Sequence, residues 1–214
     1  MNYIENVYIC LAAPFLVAVF CARKRSRRVL LFMLGGMTAC LLSSYLSTFA
    51  ASVEGIDLSA ASLEIAPLVE EIMKLLPILF YLLVFEPEKE SVVVGVIMTA
   101  VGFATFENVC YLAQNGAQGV FHLLIRGFGA GAMHVVCGAI IGTGLIYIWK
   151  EKWLRVAGTV GLLALAITFH GIYNILISQT GVPAAVGFLL PVLTAVAVVI
   201  LYNPVNRLIE REQE

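Results

Sequence analysis

Seven apolar runs of about 20 residues each, separated by short polar stretches, set the pattern of this chain. They predict helices over roughly 3–22, 29–50, 62–85, 91–113, 126–148, 156–178 and 183–202, each long enough to cross a bilayer. The polar stretches are too short to hold a soluble domain, and no internal repeat or low-complexity linker divides the chain. The expected architecture is therefore all-α, one polytopic membrane helix bundle of about seven transmembrane helices, formed by a single domain over residues 1–214.

Composition agrees with the pattern. Of 214 residues, 61% are apolar and 13% charged, and the mean hydropathy is +0.95. Soluble domains carry about 45–50% apolar and about 25% charged residues. A multi-pass membrane protein is implied, with the lipid bilayer as its surroundings and no nucleic-acid partner.

The distribution of charge orients the spans. Arg23, Lys24, Arg25, Arg27 and Arg28 follow the first run, Lys89 follows the third, Lys150, Lys152 and Arg155 follow the fifth, and Arg207 and Arg211 lie in the tail. With seven alternating spans all of these fall on one side, and Glu54 and Asp57 fall on the other. Basic loops stay in the cytoplasm. The amino terminus is thus expected outside and the carboxyl terminus in the cytoplasm. The first run has no basic residues ahead of it, so it reads as an uncleaved anchor rather than a signal peptide. Cys10, Cys21, Cys40, Cys110 and Cys137 have no paired spacing and read as apolar packing residues.

Seven ionisable residues interrupt the apolar runs: Glu70, Glu71, Lys74, Glu107, Arg126, His134 and His170. The five formally charged ones would oppose insertion by about 12–17 kcal/mol if left unpaired in lipid. Glu70, Glu71, Glu107, His134 and His170 all fall roughly 9–13 Å below the expected outer ends of their helices, at 1.5 Å per residue. Four helices thus place acid and imidazole at one level. Arg126 sits at the expected outer boundary, where it would snorkel to headgroups.

Local spacing suggests roles. Either Glu70 or Glu71 can pair with Lys74 one turn on. With Glu107 added, three carboxylates face one lysine, and an uncompensated carboxylate is a competent base toward water. His170 and Asn174 share one face and could donate to an oxyanion, although hydrogen-bonded glue between helices is their ordinary use in membranes. Phe103 lies one turn before Glu107 as wall packing, Tyr111 lies one turn after it, and His122 reads as surface. Pro67 and Pro77 bracket the acidic run and would distort that helix. The pairs Gly127–Gly131 and Gly138–Gly142 allow close helix contact beside His134. No zinc-helix, nucleophile-elbow or phosphate-loop motif occurs. The chemistry expected is carboxylate and imidazole acting on water, with no cofactor. Glutamate and histidine could also hold zinc, but the spacing does not select a metal.

Glu70-Glu71-x-x-Lys74, Phe103-x-x-x-Glu107-Asn108, His134-x-x-x-Gly138 and His170-x-x-x-Asn174 resemble, in order, the four motifs of the PrsW family, membrane proteases related to type II CAAX prenyl endopeptidases and bacteriocin-processing proteins. The resemblance implies a glutamic-type intramembrane endopeptidase. Its substrate would be a single-span membrane protein such as an anti-sigma factor, cut first on the extracytoplasmic side in a stress response. It implies that Glu70 and Glu107 activate water with help from His134, that His170 and Asn174 stabilise the oxyanion, and that Glu71 and Lys74 shape and neutralise the site. Phe103 and Asn108 would support it. The CAAX relatives carry histidine where this chain has Glu107, which argues against prenyl-protein processing. Two other classes compete with the protease: a proton-coupled transporter or channel using the same cluster, and a non-catalytic scaffold or immunity-type partner. The absence of an inverted repeat weighs against the transporter.

Overall fold

The computed structural model describes residues 4–85, 87–116 and 119–211, with side chains as far as Ile200. Among these the chain forms α1 (Ile4–Cys21), α2 (Lys24–Glu54), α3 (Leu58–Glu64), α4 (Ala66–Phe85), α5 (Lys89–Asn115), α6 (Val120–Ile148), α7 (Leu154–Ile177) and α8 (Val182–Arg211), with no strand. Six of them (α1, α2, α5, α6, α7 and α8) are long and apolar enough to cross a membrane. The polytopic helix bundle expected from the sequence is the fold observed. Large apolar side chains such as Phe20, Leu83 and Val160 lie on its outside, where lipid rather than water would meet them.

The expected third span is two helices. Asp57 caps α3, its carboxylate accepting the Ala60 N–H at 2.8 Å, and α3 ends at Glu64. α4 starts at Ala66 with Pro67 in its first turn, where a missing N–H breaks no helical hydrogen bond. Pro67 therefore starts a helix instead of kinking one, and Pro77 alone lies inside it. Glu70 and Glu71 stand in the second turn of α4, closer to a helix start than a continuous span would put them. α4 carries both of them and Lys74 within its 20 residues, and it packs between α2, α5 and α7.

Two close crossings fix the frame. A Cβ on Gly36 of α2 would lie 2.0 Å from the Thr99 carbonyl oxygen, and one on Gly102 of α5 would lie 2.0 Å from that of Met33. These glycines let α2 and α5 approach backbone to backbone. On α6, Gly138 faces Ala100 and Val96, and Gly142 faces Val96, so this expected pair does seat α6 on α5. The other pair does not behave alike, since a Cβ on Gly127 would meet nothing within 4 Å.

The basic segments gather at one end of the bundle. There Arg25 pairs with Glu90 at 2.7 Å, Arg28 donates to Tyr81 and Ser91, and Lys89 lies over the Tyr147 ring. The side chains of Arg207 and Arg211 lie outside the described residues. α6 begins at Val120, earlier than expected, and carries Arg126 inside the helix rather than at its boundary.

Candidate active site

Four helices bring the ionisable residues into one connected cluster. Glu71 of α4 is 1% exposed, and its Oε1 accepts from the Lys74 ammonium at 2.5 Å. The same oxygen lies 2.8 Å from Nδ1 of His170 on α7. Lys74 Nζ also reaches Nδ1 of His134 on α6 at 2.9 Å. Nε2 of His134 lies 2.7 Å from Glu107 Oε2 on α5, and Arg126 donates to Glu107 Oε1 at 3.0 Å. The imidazoles of His134 and His170 meet edge to face, 5.1 Å apart.

These contacts fix the tautomers of the neutral rings. An ammonium can only donate, so Nδ1 of His134 accepts from Lys74 and its Nε2–H donates to Glu107. A carboxylate can only accept, so His170 Nδ1–H donates to Glu71. The lone pair of His170 is then on Nε2, which faces Glu70 Oε2 at 3.8 Å. That separation is beyond a hydrogen bond.

The charges divide into two ion pairs and a remainder. Glu71 pairs with Lys74, and Glu107 pairs with Arg126. Glu70 has no counter-ion as close, and its buried Oε2 has no hydrogen-bond partner among the described residues. An unsatisfied buried carboxylate oxygen is expensive, and a structure retains one chiefly where a ligand, ion or water completes it. Glu71 Oε2 has no partner either, but Glu71 is held at Oε1 from two sides, whereas no hydrogen bond among the described residues holds Glu70.

The surrounding residues shape the cluster. Phe103 is fully buried, its ring 4.9 Å from the His134 ring, with Lys74 Nζ over its face at 4.9 Å. Asn108 Oδ1 is buried without a partner, one residue along from Glu107. Asn174 does not join the cluster by a hydrogen bond shown here. Its amide donates to the Ser62 carbonyl at 3.0 Å and ties α7 to α3. Tyr111, one turn after Glu107, contacts His122 at 3.3 Å and carries the Arg126 guanidinium over its ring at 3.8 Å. His122 is thus a packed partner rather than plain surface.

Arg126 is the residue that sequence reasoning misplaced. The longer α6 puts it inside the helix, eight positions before His134 and on the same face. That spacing was the available signal.

A cavity of about 360 Å³ leads to Glu70, Glu107 and Arg126 from the end of the bundle opposite the basic segments. Its walls come chiefly from α2, α3 and α5, with Ile4 of α1, Ala66 and Glu70 of α4 and Arg126 of α6.

A family model described as PrsW family intramembrane metalloprotease matches residues 23–202. The chain belongs to the PrsW family. No curated protein and no solved structure matches it. Membership makes it an intramembrane protease and a multi-pass membrane protein, and the six apolar helices agree.

The family's description speaks of a metal, whereas spacing alone selected none. The residues present fit one. A carboxylate oxygen of Glu70 and ring nitrogens of His134 and His170 all lie within 4.8 Å of one another. Glu70 Oε2 is orphaned, and His170 offers an Nε2 lone pair with its Nδ1–H anchored on a carboxylate, the orientation common for zinc-binding histidines. Two zinc ligands at about 2.1 Å in tetrahedral geometry stand roughly 3.4 Å apart, near the 3.8 Å seen between these atoms. His134 has both nitrogens engaged, by Lys74 and by Glu107, so it would have to release one of them to serve as a third ligand.

Proposed function

We propose that this PrsW-family protein of a bacterial membrane is an endopeptidase that cleaves a single-span membrane protein near the extracytoplasmic face, its amino terminus outside and its carboxyl terminus in the cytoplasm. An anti-sigma factor is the substrate class that the family resemblance favours. The observation that carries the reading is the open pair, Glu70 Oε2 and His170 Nε2, facing across 3.8 Å in the cluster that a cavity reaches from the end away from the basic segments.

Each residue then has a task. Water seated between Glu70 and His170 is the nucleophile, and Glu70 takes its proton as it attacks the scissile carbonyl. Glu71 orients His170 through Nδ1–H, and Lys74 neutralises Glu71. Glu107 receives the His134 Nε2–H and is itself held by Arg126, which fixes the second wall of the site. His170, once it takes up a proton, and Asn174, whose amide keeps one N–H beyond that bound to Ser62, are donors for the oxyanion. Phe103 and Asn108 support the cluster. A zinc ion held by Glu70, His170 and His134 would, when bound, itself acidify this water and polarise the carbonyl, in place of the base and donor roles of Glu70 and His170.

The test is to reconstitute the protein in liposomes with a single-span reporter and map the products by mass spectrometry. The expected cut lies in the outer half of the reporter's span or just outside it, and it disappears in His170→Ala. Cleavage confined to the half facing the basic segments would refute the orientation. Undiminished cleavage in His170→Ala would refute the site.

A further inference from the structure

A row of hydroxyls runs along the wall of the cavity that leads to Glu70. Ser43, Ser44, Ser47 and Thr48 of α2 all line it, together with Ser62 of α3 and Arg126 of α6. On a helix that should face lipid or other helices, hydroxyls at i, i+1, i+4 and i+5 form one stripe. The stripe spans about 7.5 Å of helix, the length of about two residues of extended chain.

The hydrogen-bond state of these groups is specific. Ser43, Ser44 and Thr48 donate their protons to carbonyls of α2 itself, at Cys40, Leu41 and Ser44. Ser62 likewise donates to Ser59. Their oxygens keep lone pairs free to accept. Among the described residues Ser47 Oγ has no partner, and Arg126 Nε, an obligate donor, is also buried without one. The wall therefore offers several acceptors and, at Arg126, an unused donor.

We infer that this wall is the binding site for an unwound, extended segment of the substrate backbone. The inference rests on the protease reading and adds to it what the enzyme must recognise. A membrane-spanning helix hides its peptide bonds in its own ladder. Unwinding it at membrane depth frees N–H and C=O groups that lipid cannot satisfy. The hydroxyl oxygens of α2 accept the freed N–H groups, and Arg126 Nε–H donates to a freed carbonyl next to Glu70. Recognition then falls on backbone that readily leaves the helix, a stretch carrying glycine or proline near the outer end of the span, and much less on particular side chains.

Binding is measured with two synthetic dye-labelled peptides of leucine and alanine, each one span long. One carries a Gly-Gly-Pro break near its outer end and the other is unbroken. Anisotropy in detergent micelles with the Glu70→Gln protein gives affinities without turnover. The expected result is at least about 10-fold tighter binding of the broken peptide. Ser47→Ala and Thr48→Val should each weaken that binding about 2–10-fold, the worth of one hydrogen bond, and leave the unbroken peptide unchanged. Equal binding of the two peptides, or equal weakening of both by the substitutions, overturns the inference. Preferential binding without cleavage by the wild-type protein would leave the groove standing and refute the protease. Cleavage with equal binding would do the reverse.

Discussion

Glu70 Oε2 and His170 Nε2 face each other across 3.8 Å without bonding, while the other nitrogen of the same ring is 2.8 Å from Glu71. One imidazole thus separates two adjacent glutamates into different roles. Glu71 is locked at Oε1 between an ammonium and an N–H, and no hydrogen bond among the described residues holds Glu70.

The first consequence concerns stability. Glu71→Ala strands a buried Lys74, and breaking one partner from a buried pair costs about 3–5 kcal/mol. Thermal unfolding in detergent should show a large drop for Glu71→Ala and almost none for Glu70→Gln. Equal drops would remove the distinction between the two residues.

Metal content gives a graded prediction. The purified wild-type protein should bind one zinc per chain by elemental analysis after dialysis against it. Glu70→Gln and His170→Ala should lose that zinc. Glu71→Gln should weaken binding about 10–100-fold, as losing the group that orients a histidine ligand does. Zinc uptake unaffected by His170→Ala would place any metal elsewhere.

Arg126 should matter through Glu107. Arg126→Ala removes both the ion pair and the stacked guanidinium over Tyr111. Initial cleavage rates should fall at least about 10-fold, the scale of a misplaced catalytic group. Arg126→Lys, which keeps the charge but not the planar fork, should recover part of the loss. A rate unchanged in Arg126→Ala would return this residue to the membrane boundary.

The α2–α5 crossing predicts a purely structural defect. Gly36→Val forces a side chain against the Thr99 backbone, and overpacking of this kind costs about 1–3 kcal/mol or more. A lowered melting temperature is expected, with residual activity following the folded fraction. A normal melting temperature would mean that the helices can separate.

Much of this was legible in the sequence because lipid imposes few choices. The apolar runs had to be helices, and the ionisable residues within them had to find one another. Glu71, Lys74, Glu107, His134 and His170 therefore joined in one cluster with Glu70 beside it, while Asn174 bonds Ser62 outside it. What escaped was set by chain breaks and by contacts across helices. Pro67 looks alike whether it kinks a helix or starts one, and only the Asp57 cap and the end of α3 decide it. Arg126 was misplaced because hydropathy began α6 too late, and its pairing with Glu107 is what leaves Glu70 alone. Gly36 and Gly102 lie in no pair of small residues that spacing alone would single out, yet they let α2 and α5 meet backbone to backbone.

The central claim is that Glu70 acts on the hydrolytic water. The direct measurement is the initial rate of single-span reporter cleavage in proteoliposomes by wild type and Glu70→Gln, matched for folded protein by their melting curves. The rate should fall at least about 100-fold, the scale of a lost general base, with the melting temperature unchanged. A Glu70→Gln rate within about twofold of wild type would contradict the account.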